Sequence, residues 1–359
     1  MTKSSKRPGY NRKAKIEKLI KYKEKITLTI KLYKQTLAER IKRSRKLFNK
    51  NIIIGDIHMH TTFSDGASTV REMKDMADIC GLDFAFITDH RTLRHLSQKR
   101  YFDEKEGLWF GEESATMGQH IGLLNPSKLF KPRKDSMEKD YKRAAKIAPF
   151  VWIPHPAGWG PSNWYSDEVI KGLWSLGDKI SLEILNGHQK LTRAYDEFDE
   201  KAVKIWEMLL KDGRHISAVG GSDAHRDCII GTTWTGVCNI DFGLDFVIKS
   251  LSDGHSFASE APLLWLSCGK YIMGDEICKK RGSKIKINFA CCDSLGLHSV
   301  RLIKNGKIIK NIKAKDVPMI LDSYQYTVEQ KSSYFRLECT ASDQRRAFSS
   351  PIYIKASIS

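Results

Sequence analysis

Several features are missing from this chain, and each absence narrows what it does. No run of about 18 apolar residues occurs, so no membrane-spanning helix is expected. The N-terminal stretch MTKSSKRPGYNRKAK is basic with no apolar segment behind it, and so does not read as a secretory signal. The eight cysteines are scattered, none forms a CxxC pair, and the adjacent Cys291 and Cys292 cannot easily bridge each other. This pattern predicts reduced thiols in a cytoplasmic protein. Internal repeats are absent, and so is any low-complexity segment beyond a basic tail.

A surplus of positive charge is also absent from most of the chain, despite a net charge of +18. Residues 1–50 hold 18 Lys and Arg against three Asp and Glu, which leaves 42 against 39 for the rest. The body is nearly neutral, so the charge gives no global argument for nucleic-acid binding. The tail carries a loose helical stripe (Ile16, Leu19, Ile20, Ile26, Ile30, Leu37, Ile41 and Phe48), although Ile26–Leu32 alternates with period 2. Residues 1–50 are therefore expected to be a basic, partly helical extension. It either packs its stripe on the body or a partner, or makes weak contact with polyanions or a membrane surface.

What remains reads as two regions, and 359 residues at 41% hydrophobic content suffice for a large domain plus a smaller one. Residues 51–260 alternate strands and helices. Strands are predicted at Asn51–Asp56, Asp83–Thr88, Leu108–Gly111, His120–Leu124, Phe150–Pro154, Ile180–Leu185 and Ile216–Gly221. Helices are predicted at Val70–Cys80, Met137–Ala148, Tyr195–Asp212 and Phe242–Asp253. This order implies an α/β fold of parallel βα units, with polar residues at the C-terminal strand ends where barrel enzymes build their sites. Residues 261–359 change to alternating runs with a hairpin signal at Asn305-Gly306, which predicts a small antiparallel, sandwich-like all-β domain. Its single histidine, His298, has no ligand-type neighbours.

The chemistry lies in clusters at the ends of apolar runs. These are Asp56-Ile57-His58-Met59-His60 with Ser64-Asp65-Gly66, Thr88-Asp89-His90, Gly111-Glu112-Glu113 with His120, Pro154-His155-Pro156, and Ser222-Asp223-Ala224-His225. They hold six of the eleven histidines. His58 and His60 lie two apart on one strand end and point the same way. Asp223 and His225 repeat that spacing. Asp65 sits in a turn able to fold back over the same cavity, His90 and His155 each end a strand, and Glu113 can bridge two metals. Imidazoles mixed with carboxylates are ligands of catalytic divalent metals, and burying so many titratable groups without metal would cost several kcal/mol. Eight or nine ligands exceed one coordination sphere, so two or three ions are expected. A water bridging two of them would act as hydroxide at neutral pH, leaving no need for a Ser or Cys nucleophile. Ligation without Cys fits zinc, manganese or iron.

The ordered motifs HxH…SDG, TDH, GxE, HP and SDAH resemble those of the polymerase and histidinol phosphatase (PHP) superfamily over about residues 51–260. The resemblance implies a distorted (β/α)7 TIM-like barrel with a two- or three-metal site. Its ligands would be His58, His60, Asp65, His90, Glu113, His155, Asp223 and His225. His120 would join them, with one residue inserted relative to the family's Gly-His element. Either Glu112 or Glu113 would be the bridging carboxylate, and the GxE spacing favours Glu113. Trp234-Thr235-Gly236, Leu251–His255 and the C-terminal β region further resemble the carbaryl-hydrolase-like (CehA/McbA) branch.

Other residues are candidates around the metals. Asp56 and Asp89 are expected to orient ligand imidazoles. Arg91 and Arg226 each follow a ligand histidine and suit an oxyanion. Asn186 and His188 are expected near the pocket. Trp152, Trp159, Trp164 and Trp174 read as core and pocket wall rather than as a base-stacking platform. The leading expectation is a metal-dependent hydrolase, a phosphoesterase acting on a small phosphate ester or nucleotide. A carbamate or carboxylic ester hydrolase with the same metals is the alternative, and a non-catalytic binding module is disfavoured by the complete ligand set.

Overall fold

The computed structural model describes residues 12–103, 106–116, 118–133, 135–159, 163–188, 190–193, 195–238, 241–329 and 332–357. The first eleven residues of the basic extension lie outside these. The rest of the extension is one helix, α1 (Arg12–Phe48), running unbroken through the alternating Ile26–Leu32 segment. Its second half packs on the body along one stripe, burying Lys34, Leu37, Arg40, Ile41, Ser44 and Phe48. Residues 24–29 are exposed on every side.

Strands and helices then alternate. β1 (Ile52–Asp56), α2 (Val70–Ile79), β2 (Phe84–Ile87), β3 (Leu108–Ala115), β4 (His120–Leu124), α3 (Met137–Ala144) and β5 (Phe150–Trp152) come first. α4 (Asp167–Lys171), β6 (Lys179–Asn186), α5 (Glu197–Lys211), β7 (His215–Gly221), β8 (Trp234–Cys238), α6 (Leu244–Ser252) and β9 (Ser256–Ser259) follow. Local chemistry sets the helix ends. Thr69 and Glu72 form a capping box on α2, and Gly81 at φ 69° ends it. Asp196 and Asp199 cap α5, whose apolar face buries Phe198, Ile205, Trp206 and Leu209.

The expected closed (β/α)7 barrel does not form. β1, β2 and β3 are parallel, but β3, β4 and β5 pair antiparallel. β6 and β7 form a separate parallel pair. Among the described residues, backbone pairing ties that pair to its neighbours through the single bridges Ile153–Leu182 and Met59–Ala224. The physical reason lies in the connections. The short link between β3 and β4 makes a hairpin, and β8 and β9 take the open side of β1 as antiparallel strands. The C-terminal ends of β1, β2, β5, β6 and β7 nevertheless converge.

The C-terminal strands are β10 (Leu263–Cys268), β11 (Tyr271–Ile272), β12 (Glu276–Lys280), β13 (Lys284–Cys292), β14 (Leu297–Lys304), β15 (Lys307–Lys313), β16 (Met319–Thr327), β17 (Ser333–Ala341), β18 (Arg346–Ser349) and β19 (Ile352–Ser357). They make two packed layers that are antiparallel apart from the β12–β19 pair. Asn305 and Gly306 turn the β14–β15 hairpin with φ of 48° and 75°. One layer is continuous with the first region, because β18 pairs with β9. Arg40 of α1 clamps the second region through hydrogen bonds to Asp293 (2.8 and 2.7 Å) and Asp343 (2.6 and 3.0 Å). All eight cysteines are free thiols. Among the described residues no helix is long and apolar enough to cross a membrane.

Candidate metal centre

Successive strand ends deliver the ligand-type side chains to one point. The segment after β1 runs extended beside the segment after β7, held by the Met59–Ala224 bridge, so His58 and His60 face Asp223. At the centre is Glu113 of β3. Its Oε2 lies 3.1 Å from His58 Nε2, 3.2 Å from His60 Nε2 and 3.2 Å from His90 Nδ1. Its Oε1 lies 2.7 Å from His120 Nδ1 and 3.0 Å from His155 Nε2. Asp223 Oδ1 sits 3.4 Å from His58 Nε2 and 3.2 Å from His60 Nε2. Asp65, half-exposed at the rim, reaches His90 Nε2 at 3.5 Å and His225 Nε2 at 3.4 Å.

These residues fall into three groups whose ligand atoms lie within 4.8 Å of one another: His58, His60, Glu113 and Asp223; His60, Asp65, His90 and His225; and His90, Glu113 and His120. His58 Nε2, His60 Nε2 and Glu113 Oε2 are buried and have no partner in hydrogen-bonding geometry, although they face one another. Buried polar atoms seldom stay unsatisfied. Lone pairs converging from imidazoles and carboxylates fit divalent cations, so the residues present suit the implied metals.

The electrostatics follow from this crowding. Burial alone would lower His58, but the carboxylates of Asp223, Glu183 and Glu113 hold it well above the usual histidine range. His60 is likewise raised to about 9 against burial, by the carboxylates of Asp223 and Glu113 that face its ring. Burial would raise Glu113, yet the imidazoles of His120 and His58 hold it well below the carboxylate range. His90 has the opposite balance, and burial pushes it down to about 4.

The surrounding residues separate by role. Glu112 points away from the centre, accepts from the Phe130 N–H at 2.8 Å and is raised to about 7 by burial, so Glu113 is the central carboxylate. Asp56 does not meet a ligand imidazole through its ring. Its Oδ1 accepts backbone N–H bonds from His58 (3.1 Å) and Ser222 (3.0 Å), pinning the ends of β1 and β7 together. Asp89 accepts from Thr61 N (2.6 Å), Thr61 Oγ1 (2.7 Å), Ser64 Oγ (2.7 Å) and His95 (2.9 Å), which fixes the turn leading to Asp65. Asn186 is buried behind the site and donates to Glu183 Oε1 (3.2 Å) and Asp223 Oδ2 (3.4 Å).

A cavity of about 470 Å³ opens over the cluster. Its walls include Trp159, His188, Ala67 and Arg226. Trp159 stacks on His120 with ring centroids 5.0 Å apart. Arg91 does not line this cavity; it is exposed, and its N–H bonds to Glu113 O at 2.9 Å. Of the other tryptophans, Trp152 is fully buried in the core and Trp164 stacks on Phe198 at 3.7 Å. Four non-glycine residues at the site have positive φ: Arg91, His155, His188 and Asp223. Such conformations cost on the order of 1–3 kcal/mol each and cluster at functional sites.

Glu183 is the residue that sequence reasoning missed. It is fully buried on β6, and its carboxylate lies 3.0 Å from His58 Nδ1 and 3.3 Å from the His155 backbone N. The signal is a lone carboxylate inside the apolar run Ile180–Leu185, whose pattern predicts only a strand.

No family model and no curated protein matches the chain. Among solved structures, a two-domain protein from Bacteroides vulgatus containing a predicted PHP-like metal-dependent phosphoesterase aligns with a TM-score of 0.44. It is 17% identical and covers 84% of this chain and 94% of its own. PsfC from Pseudomonas syringae aligns with a TM-score of 0.41 at 17% identity, covering 56% of this chain and 88% of its own. An amidohydrolase from Chromobacterium violaceum with bound sulfate aligns with a TM-score of 0.35 at 15% identity, covering 48% and 87%. Likenesses this loose carry no argument about activity. The side chains of the site carry it instead.

Proposed function

We propose that this chain is a multi-metal hydrolase of the PHP superfamily, acting as a phosphoesterase on a small phosphate ester or nucleotide. One observation carries the reading. Ring nitrogens of five histidines lie within 3.2 Å of the single buried carboxylate of Glu113. Hydrogen bonding alone leaves part of that cluster unsatisfied, whereas two or three divalent ions (zinc, manganese or iron) would engage the converging lone pairs.

The holders would be His58, His60, Asp65, His90, Glu113, His120, His155, Asp223 and His225. Ions bound there would supply Lewis acidity to the ester oxygen and lower the pKa of water. The chain's own residues orient the rest. Glu183 holds His58 by Nδ1, so that Nε2 faces the centre. Asp89 fixes the Thr61–Ser64 turn and with it the placement of Asp65. Arg226 at the cavity wall offers a guanidinium to a substrate oxyanion. Trp159 and Ala67 give the cavity an apolar side.

A carbamate or carboxylic ester substrate is the second reading, as the CehA/McbA-like motifs suggest. It is favoured by the cavity's single guanidinium and its tryptophan wall. Phosphomonoester, phosphodiester and carbamate substrates assayed side by side with Mn²⁺ and Zn²⁺ separate the two. Turnover of the carbamate alone would overturn the phosphoesterase assignment. The first half of α1 would add weak contact with polyanions.

A further inference from the structure

Lys34 is a lysine that folding energetics disfavour. It lies on α1, has no exposed surface, and no ion-pair partner meets it among the described residues. Its one hydrogen bond runs to the backbone carbonyl of Ile229, at 3.5 Å. Burial lowers it to about 8, with the thiols of Cys80 and Cys228 and the charges of Arg345 and Asp56 as its further electrostatic neighbours. A methionine of similar length would fill the space without that penalty.

The carbonyl it meets is not an arbitrary one. Ile229 ends the 3-10 turn Asp227–Ile229, which directly follows Asp223, His225 and Arg226. The preceding residue of α1 leads to the cavity's other wall. Tyr33 OH accepts from Arg345 at 2.5 Å, and Arg345 donates to the carbonyl of Thr192 at 3.1 Å, four residues beyond His188. Arg345 is itself buried and held by Asp343, which Arg40 of the same helix also grips. Two adjacent residues of one helix thus support the two loops that carry His188 and Arg226.

We propose that α1 is a positioning element of the active site: Lys34 directly, and Tyr33 through Arg345, hold the Arg226 and His188 loops where substrate meets them. The assignment of those loops to substrate rests on the hydrolase reading above. Neither Lys34 nor Tyr33 touches the cavity, so their effect falls on substrate affinity rather than on metal content.

The test compares full-length wild type with Lys34→Met and the milder Tyr33→Phe. The readouts are 4-nitrophenyl phosphate kinetics with Mn²⁺, metal content, thermal midpoint and amide exchange. The expectation for Lys34→Met is a KM raised roughly five- to tenfold, about the loss of one ordinary hydrogen bond, with kcat changed less. Metal content should be unchanged, the midpoint equal or higher, and exchange faster in residues 222–231. Tyr33→Phe should speed exchange around Thr192. A purely structural lysine predicts the reverse pairing, a lower midpoint with unchanged KM and exchange, and that result would overturn the inference. Exchange reads loop positioning without any turnover. A wild type that leaves 4-nitrophenyl phosphate uncleaved therefore counts against phosphomonoester hydrolysis, while unaltered exchange in both variants sinks the positioning role of α1.

Discussion

Glu183→Gln removes one charge and almost no volume from the most enclosed part of the site. The carboxylate accepts from His58 Nδ1 at 3.0 Å, Asn186 Nδ2 at 3.2 Å and the His155 backbone N at 3.3 Å. A glutamine keeps one acceptor and sets an NH₂ group against those donors. Either His58 changes tautomer and turns a proton toward Glu113, or a buried donor is left unpaired. Replacing a group that orients a ligand histidine lowers metal affinity by about 10–100-fold, or roughly 1.4–2.8 kcal/mol. Competition with a chromophoric chelator at fixed pH measures the loss, and a thermal melt checks that the fold persists. Affinity within twofold of wild type would refute the role given to Glu183.

Three further outcomes follow from α1 and its contacts. Arg40→Met strands the buried Asp293 and should cost about 3–5 kcal/mol in urea denaturation, with part recovered in Arg40→Met/Asp293→Asn; a loss under 1 kcal/mol would contradict the buried clamp. Lys34 is depressed in the folded state, so its penalty is complete below about pH 8 and disappears as pH rises toward its ordinary 10.5. The stability difference between Lys34→Met and wild type should therefore move by on the order of 3 kcal/mol in favour of wild type between pH 7 and 10.5, which paired melts read directly; a pH-independent difference would refute the assignment. Removing residues 1–29 should weaken heparin binding and spare turnover, whereas removal through residue 45 should abolish cooperative melting because it deletes the buried Leu37, Arg40, Ile41 and Ser44.

The site was legible because its residues are chemically conspicuous. One histidine pair two apart on a strand end and an SDAH segment mark residues able to hold a metal, and the fold brings them together. Element positions were legible for a similar reason, since the capping box at Thr69 and the Asn305-Gly306 turn are local signals. Pairing was not. Nothing in His120–Leu124 states that it returns antiparallel to β3, or that β8 takes the open edge of β1 and leaves the ring unclosed. Glu183 escaped because a carboxylate inside an apolar strand reveals its partner only when β6 lies against His58. Asp56 neighbours a ligand-type histidine in sequence, while in space its oxygen serves the backbone of β7's end. The basic extension offered two readings, an electrostatic arm or a helix packing its apolar stripe, and the period of Leu37, Ile41 and Phe48 docks its second half on the body.

The most direct test is elemental analysis of metal per chain after loading with Mn²⁺ or Zn²⁺, on wild type and on His58→Ala/Asp223→Asn. The account predicts two or three equivalents for wild type. It predicts at most one for the variant, together with loss of ester hydrolysis and a retained cooperative melt. One equivalent or none in wild type, or unchanged turnover in the variant, would contradict it.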